Sequence, residues 1–223
     1  MPSLTVENYA KAIYQICAKL DGRPAATGQI AVEMGVAPGT VTSMMKTLSD
    51  AALATYTPYE GVRLTPAGDS LALRVMRRHR LIELFLVRTL DLTWDEVHDE
   101  AEHMEHAVSD LLVDRIDEFL GHPETDPHGD PIPRSDLSFN SPEGRSLSQC
   151  QPGERFQLAR VLDQSPEFLR YLSESGISLA TRGEVLENQA EASIVMIEVD
   201  GRRVTLGHQA AEKILVTVPV EVA

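Results

Sequence analysis

The chain has 223 residues, 43% of them hydrophobic and 24% charged, which is enough for one large domain or two to three small ones with cores of their own. No apolar run approaches the roughly 18 residues of a membrane span, and the N-terminus lacks the basic-then-apolar pattern of a secretory signal, so a cytoplasmic protein without membrane contact is expected. Cys17 and Cys150 are far apart and in no C-x-x-C motif, which excludes a disulfide framework and a thiolate metal site. Cys17 is expected to pack as a small apolar residue on the first helix. The formal net charge of -14 speaks against a nucleic-acid partner only until its distribution is considered. Residues 1–75 carry as many basic as acidic side chains, and half of the excess acid lies in residues 76–120.

The first helix is predicted over residues 5–20, with Tyr9, Ile13, Ile16, Cys17 and Leu20 on one stripe and Asp21-Gly22 ending it. Thr27 is the predicted N-cap of a short helix that Gly35 breaks, and Pro38 opens a third helix running to about Ala51. Helix, short turn and helix form a helix-turn-helix. Two short strands joined by Pro58-Tyr59-Glu60-Gly61 follow as a hairpin, the wing of a winged helix. Thr65-Pro66 restarts a helix expected to continue, with or without a bend, to Thr89. Thr93-Trp94-Asp95-Glu96 reads as a capping box, predicting one further helix from there to about Leu120. Six prolines between His122 and Pro152 predict turns and then a linker, in which His122 and His128 are expected to be exposed loop residues rather than ligands. From Gly153 five short strands, an Asp200-Gly201 hairpin turn and one helix capped by Ser165 predict a small barrel.

Chemistry concentrates on the middle helices. Taking His98 as zero and 100° per residue, Glu102 falls near 40°, Glu105 near 340° and His106 near 80°, so four donors share one sector. On the helix before, His79 and Glu83 form an i, i+4 pair. A solvated acidic face explains carboxylates at such spacing but not the imidazoles that accompany them. Six nitrogen and oxygen donors without a cysteine suit Mn, Fe(II), Co, Ni or Zn better than Cu(I) or an iron-sulfur cluster.

Winged helix, arginine-flanked helix and metal helix, in this order, resemble the diphtheria toxin repressor family of metal-dependent transcriptional regulators. The stretches that carry the resemblance are Glu7-Asn8-Tyr9, Val75 to Leu81 leading to Glu83, Val97 to Glu102 followed by Glu105-His106, and Gly129-Asp130-Pro131-Ile132-Pro133. It implies an α+β chain: a winged helix-turn-helix at 1–74, a helical dimerisation and metal-binding domain at 75–140, a linker at 141–152 and an SH3-like, FeoA-like domain at 153–223. It also implies a primary metal site of Asn8, Glu102, Glu105 and His106, and an ancillary site of His79, Glu83 and His98 completed by Gln164 and Glu167. Iron-type members place a sulfur ligand at the Glu102 position and Met at the Asn8 position, so hard oxygen donors here favour Mn(II) over Fe(II), with Co(II), Ni(II), Zn(II) or Cd(II) able to substitute. Asn8 is a neutral donor where manganese members carry Asp, and Lys11 replaces a carboxylate that some two-domain members use.

A helix-turn-helix lays its second helix in the major groove. The candidates for DNA contact are Pro38, Gly39, Thr40, Thr42, Ser43 and Lys46. The arginines 77, 78 and 80 either grip phosphates or pair with the acidic middle segment. A homodimer that presents two such helices about 34 Å apart would match a palindromic operator, and the expected function is repression of metal-uptake genes without a small organic ligand. Two rivals are weighed. A metallohydrolase lacks its motif, since His98-Asp99 does not begin H-E-x-x-H and no G-x-S-x-G is present. A winged-helix regulator of an organic ligand would leave the imidazoles and carboxylates merely packed between helices.

Overall fold

The computed structural model describes residues 3–140 and 144–219. The chain forms two compact units, one of residues 1–79, 104–108 and 133–138, the other of residues 80–103, 109–132 and 139–223.

The first unit begins with α1 (Leu4–Lys19), opened by Ser3, whose hydroxyl accepts from the Val6 amide. α2 (Thr27–Glu33), α3 (Pro38–Asp50) and a hairpin of β1 (Ala54–Thr57) with β2 (Gly61–Leu64) follow. Ala26, not Thr27, is the N-cap of α2. The Gln29 side chain closes that turn by accepting from the Ala26 amide at 3.0 Å. Tyr9, Ile13, Ile30, Val41, Met45, Leu48 and Val62 are buried together, so the stripe read along α1 packs on the helix-turn-helix and on the wing. Gly61, at φ 114°, passes so close to Ala25 that a Cβ would lie 2.5 Å from its carbonyl oxygen. Only glycine fits there.

α4 (Pro66–Leu90) runs as a single helix of 25 residues and passes from one unit into the other after His79. One long helix was expected next; the structure has two, α5 (Val97–Glu105) and α6 (Asp110–Leu120). Ser109 is the reason for the break, because it takes an extended backbone and its hydroxyl accepts from the Leu112 amide, the local competition with helical hydrogen bonds that makes serine a cap. His106 therefore lies just beyond α5, and Leu111 and Leu112 are exposed rather than packed. The expected box before α5 is half present: the Thr93 amide donates to the Glu96 carboxylate at 3.0 Å.

The remainder of the second unit is an antiparallel sheet of β3 (Arg145–Ser146), β4 (Arg155–Val161), β5 (Arg182–Gln189), β6 (Ile194–Val199), β7 (Arg202–Gly207) and β8 (Ile214–Thr217), ordered β3-β8-β4-β5-β6-β7. Residues 141–143 of the expected linker lie outside the described residues, and β3 starts the sheet inside its remainder. α7 (Pro166–Glu174) starts after Ser165 as expected, and Asp200 and Gly201 both take positive φ in the hairpin turn. α8 (His208–Glu212) was not foreseen, five residues being too few to display a period. Phe156, Leu158, Val185, Ile197, Leu206 and Val216 fill the core together with Cys150 and with Trp94 from the segment before α5. Among the described residues no helix is long and apolar enough to cross a membrane.

Candidate metal centre

In the first unit the donors converge on Glu105, whose side chain is 1% exposed. Its Oε2 lies 2.6 Å from His79 Nδ1 and accepts from the Lys11 ammonium at 3.0 Å, and its Oε1 lies 3.1 Å from His106 Nε2. The other His106 nitrogen, Nδ1, is 2.7 Å from Glu7 Oε2. Burial by itself would raise the Glu105 pKa, but the His79 hydrogen bond and the Lys11 charge outweigh it and hold the carboxyl below its ordinary range. Glu7 and Lys11 are one helical turn apart on α1, so the face of that helix that reaches the cluster is theirs. Asn8, the expected helix-one ligand, is half-buried one residue further round. His79 and His106 both meet Glu105, and Glu7 meets the far nitrogen of His106; imidazole and carboxylate donors of this kind suit a first-row divalent ion.

In the second unit Glu83 is as deeply buried and sits between two histidines. His98 Nδ1 is 3.4 Å from its Oε1, and His128 Nδ1 is 3.7 Å from its Oε2. Glu102 is half-exposed on α5, 3.8 Å from His98. His128 corrects the sequence reading: it is 0% exposed. The sheet encloses it, since its carbonyl accepts from the Val161 amide at 2.9 Å and the adjoining Gly129 runs under Ala159. His122 is exposed as expected, 3.1 Å from Asp117. Burial lowers the His128 pKa, yet the Glu83 carboxylate beside it prevails and lifts it to about 9. The signal that could have exposed His128 is its spacing, Asp126-x-His128 before a glycine.

Gln164 and Glu167 do not join these donors. The Gln164 amide donates to Asp130, and Glu167, with its side chain 81% exposed, pairs with Arg170. Of the two roles open to the arginines, pairing within the protein is the one seen. Arg80 is buried, donating to the Pro131 carbonyl and to Asp130, with Asp126 3.7 Å away; Arg77 is buried; and Arg78 lies 3.9 Å from Glu7. On α3, by contrast, Pro38, Gly39, Thr40, Thr42, Ser43 and Lys46 are all exposed while Val41, Met45 and Leu48 face the core. Thr42 and Ser43 donate to the Pro38 and Gly39 carbonyls, which leaves their hydroxyl oxygens as acceptors facing outward.

Residues 1–62 match the family model described as iron dependent repressor, N-terminal DNA binding domain. Residues 65–134 match iron dependent repressor, metal binding and dimerisation domain, and residues 145–218 match the FeoA domain. A solved manganese-dependent transcriptional repressor in complex with manganese is 39% identical, covering 96% of this chain and 100% of its own, with a TM-score of 0.84. The manganese regulator SloR is 33% identical over 96% of this chain and 98% of its own, with a TM-score of 0.76. The iron-dependent repressor IdeR of Mycobacterium leprae is 27% identical over 95% of this chain and 96% of its own length. These relatives are repressors, not enzymes. An N-terminal helix-turn-helix domain, a helical dimerisation domain and an SH3-like sheet domain, together with these matches, make the chain a divalent-metal-dependent transcriptional repressor of the diphtheria toxin repressor family.

Proposed function

We propose that the metal is manganese and that two sites per protomer sense it. The observation that carries this reading is the buried Glu105, gathered with His79 and His106 against α1 of the DNA-binding unit. The primary site is built from Glu105 and His106, with Glu102 a turn earlier on α5 and Asn8 on α1. Glu7, 2.7 Å from His106, is a further oxygen donor on that turn. The ancillary site is built from His79, Glu83 and His98. The first and second domains span 1–74 and 75–140, with a short linker before the SH3-like domain that opens at β3.

Such an ion would join α1 to the turn that carries His106, drawing together negative groups that otherwise repel and fixing the winged helix for DNA. Metal then selects the DNA-competent member of an ensemble. A dimer presents two α3 helices to a palindromic operator in the cytoplasm, and metal-uptake genes are repressed. Support for manganese over iron comes from a donor set of hard oxygens and imidazoles. Both cysteines pack in hydrophobic cores instead.

The test is an anaerobic titration of operator binding with Mn(II) and Fe(II) for wild type, Glu102→Cys and Asn8→Met. Wild type is expected to respond at lower Mn(II) than Fe(II), and both variants to shift toward Fe(II). A wild type that responds to Fe(II) alone rejects manganese.

A further inference from the structure

The most unusual group in the second unit is the His128 imidazole. Its Nε2 donates to the Trp94 carbonyl at 2.8 Å, and its ring stacks on the Trp94 indole with centroids 6.3 Å apart and planes 9° apart. Both contacts pin the ring, so Nδ1 cannot turn away. That nitrogen is fully buried and has no hydrogen-bond partner. It points between two buried carboxylates, Glu83 Oε2 at 3.7 Å and Asp126 Oδ1 at 3.8 Å. These separations exceed those of two other imidazole–carboxylate pairs. His79 approaches Glu105 to 2.6 Å and His106 approaches Glu7 to 2.7 Å. Donors that share an ion stand apart rather than in contact, because tetrahedral ligands about 2.1 Å from a metal lie about 3.4 Å from each other.

We propose that Glu83, Asp126 and His128 form a third divalent-cation site, in which Glu83 bridges: its Oε2 serves this ion while its Oε1 serves the ancillary ion beside His98. The proposal rests on the ancillary reading for its second half. The three residues offer ligand atoms that all lie within 4.8 Å of one another, two hard oxygens and one imidazole, a set suited to Mn(II) or Zn(II). A ring nitrogen fixed by donating its other N–H to a backbone carbonyl is the arrangement that orients histidine ligands. The loop is equally well fixed. Asp126 Oδ1 accepts from the His128 and Asp130 amides at 2.8 and 2.9 Å. Gly129 is required, since a Cβ there would lie 2.1 Å from the Ala159 carbonyl oxygen. On the other side of the Asp126 carboxylate, Arg80 Nε is 3.7 Å from Oδ2. Arg80 is already engaged with Asp130 and Pro131. An incoming ion displaces to solvent any proton on Nδ1.

The test counts ions on the full-length protein. After equilibrium dialysis against Mn(II), wild type is expected to hold three ions per chain and to give an exchange-coupled electron paramagnetic resonance signal from the bridged pair. His128→Phe, which keeps a ring to stack on Trp94, is expected to hold two ions and to lose the coupling. Asp126→Asn still accepts the two amides, and should weaken the third ion about tenfold or more, the scale on which even outer partners of a metal act. Fluorescence of Trp94, the single tryptophan, reports whether each variant keeps its fold. Two ions in wild type, or three in a folded His128→Phe, overturn the third site and leave the two-site reading intact. A wild type that binds none overturns both.

Discussion

Lys11 and Glu105 show how one side chain can stand where a cation is wanted. The ammonium lies 3.0 Å from the carboxylate, both nearly buried, and it neutralises charge that a metal ion would otherwise meet. Lys11→Met is therefore expected to lower the Mn(II) needed for half-maximal operator binding several-fold, read from a fluorescence-anisotropy titration; an unchanged midpoint would mean the lysine does not compete. His106→Ala removes an imidazole that faces both Glu105 and Glu7, and it lies outside any helix whose packing it could disturb. Metal-activated DNA binding should fall by more than tenfold while circular dichroism is unchanged. Wild-type affinity in the presence of Mn(II) would remove His106 from the primary site.

At the level of elements, the junction of β4 and α7 is held by Asp163. Its carboxylate accepts from Lys213 at 2.7 Å and from the Ser165 amide at 3.0 Å. Partial burial acts to raise its pKa, but these donors prevail and lower it. A depressed folded-state value means stabilisation that is present above the unfolded value of about 3.9 and is lost as pH falls through the folded one. Asp163→Asn should thus cost about 1 kcal/mol at pH 7, the usual worth of such bonds. The two unfolding curves should converge once pH drops below the ordinary carboxylate range. A gap that persists unchanged in acid would show that the charge contributes nothing.

For the molecule as a whole, the dimerisation region presents an apolar face to solvent. Leu112 and Phe119 are seven residues apart on α6, and so nearly in line along it; they are 47% and 69% exposed. Phe119 also meets Phe85 edge to face, with ring centroids 6.0 Å apart. Large exposed apolar side chains grouped in this way mark an interaction surface. Leu112→Glu combined with Phe119→Glu should convert the protein to a monomer in light scattering and weaken operator binding at least tenfold, because one recognition helix then binds without its twin. A dimer of unchanged stability would place the interface elsewhere.

Much of this was legible in the sequence because it is local. Pro38 and Gly35 mark the helix-turn-helix, alternating residues mark β6 and β7, and i, i+4 spacing pairs His79 with Glu83 and His98 with Glu102, all consequences of torsional preference and helical period within a few residues. The outward face of α3 followed from the same period. What the sequence could not decide depends on partners far along the chain. Whether Glu7 or Asn8 faces His106 is a matter of 100° of helix rotation, set by how Tyr9 and Ile13 seat in the winged-helix core. The break at Ser109 came from one hydroxyl prevailing over a helical hydrogen bond. Arg80 is committed to Asp130, 50 residues away. His128 lies in a proline-rich stretch that reads as surface, and only its enclosure by Val161, Ala159 and Trp94 buries it. Burial of a loop side chain is a property of the elements that close over it, and no local pattern records them.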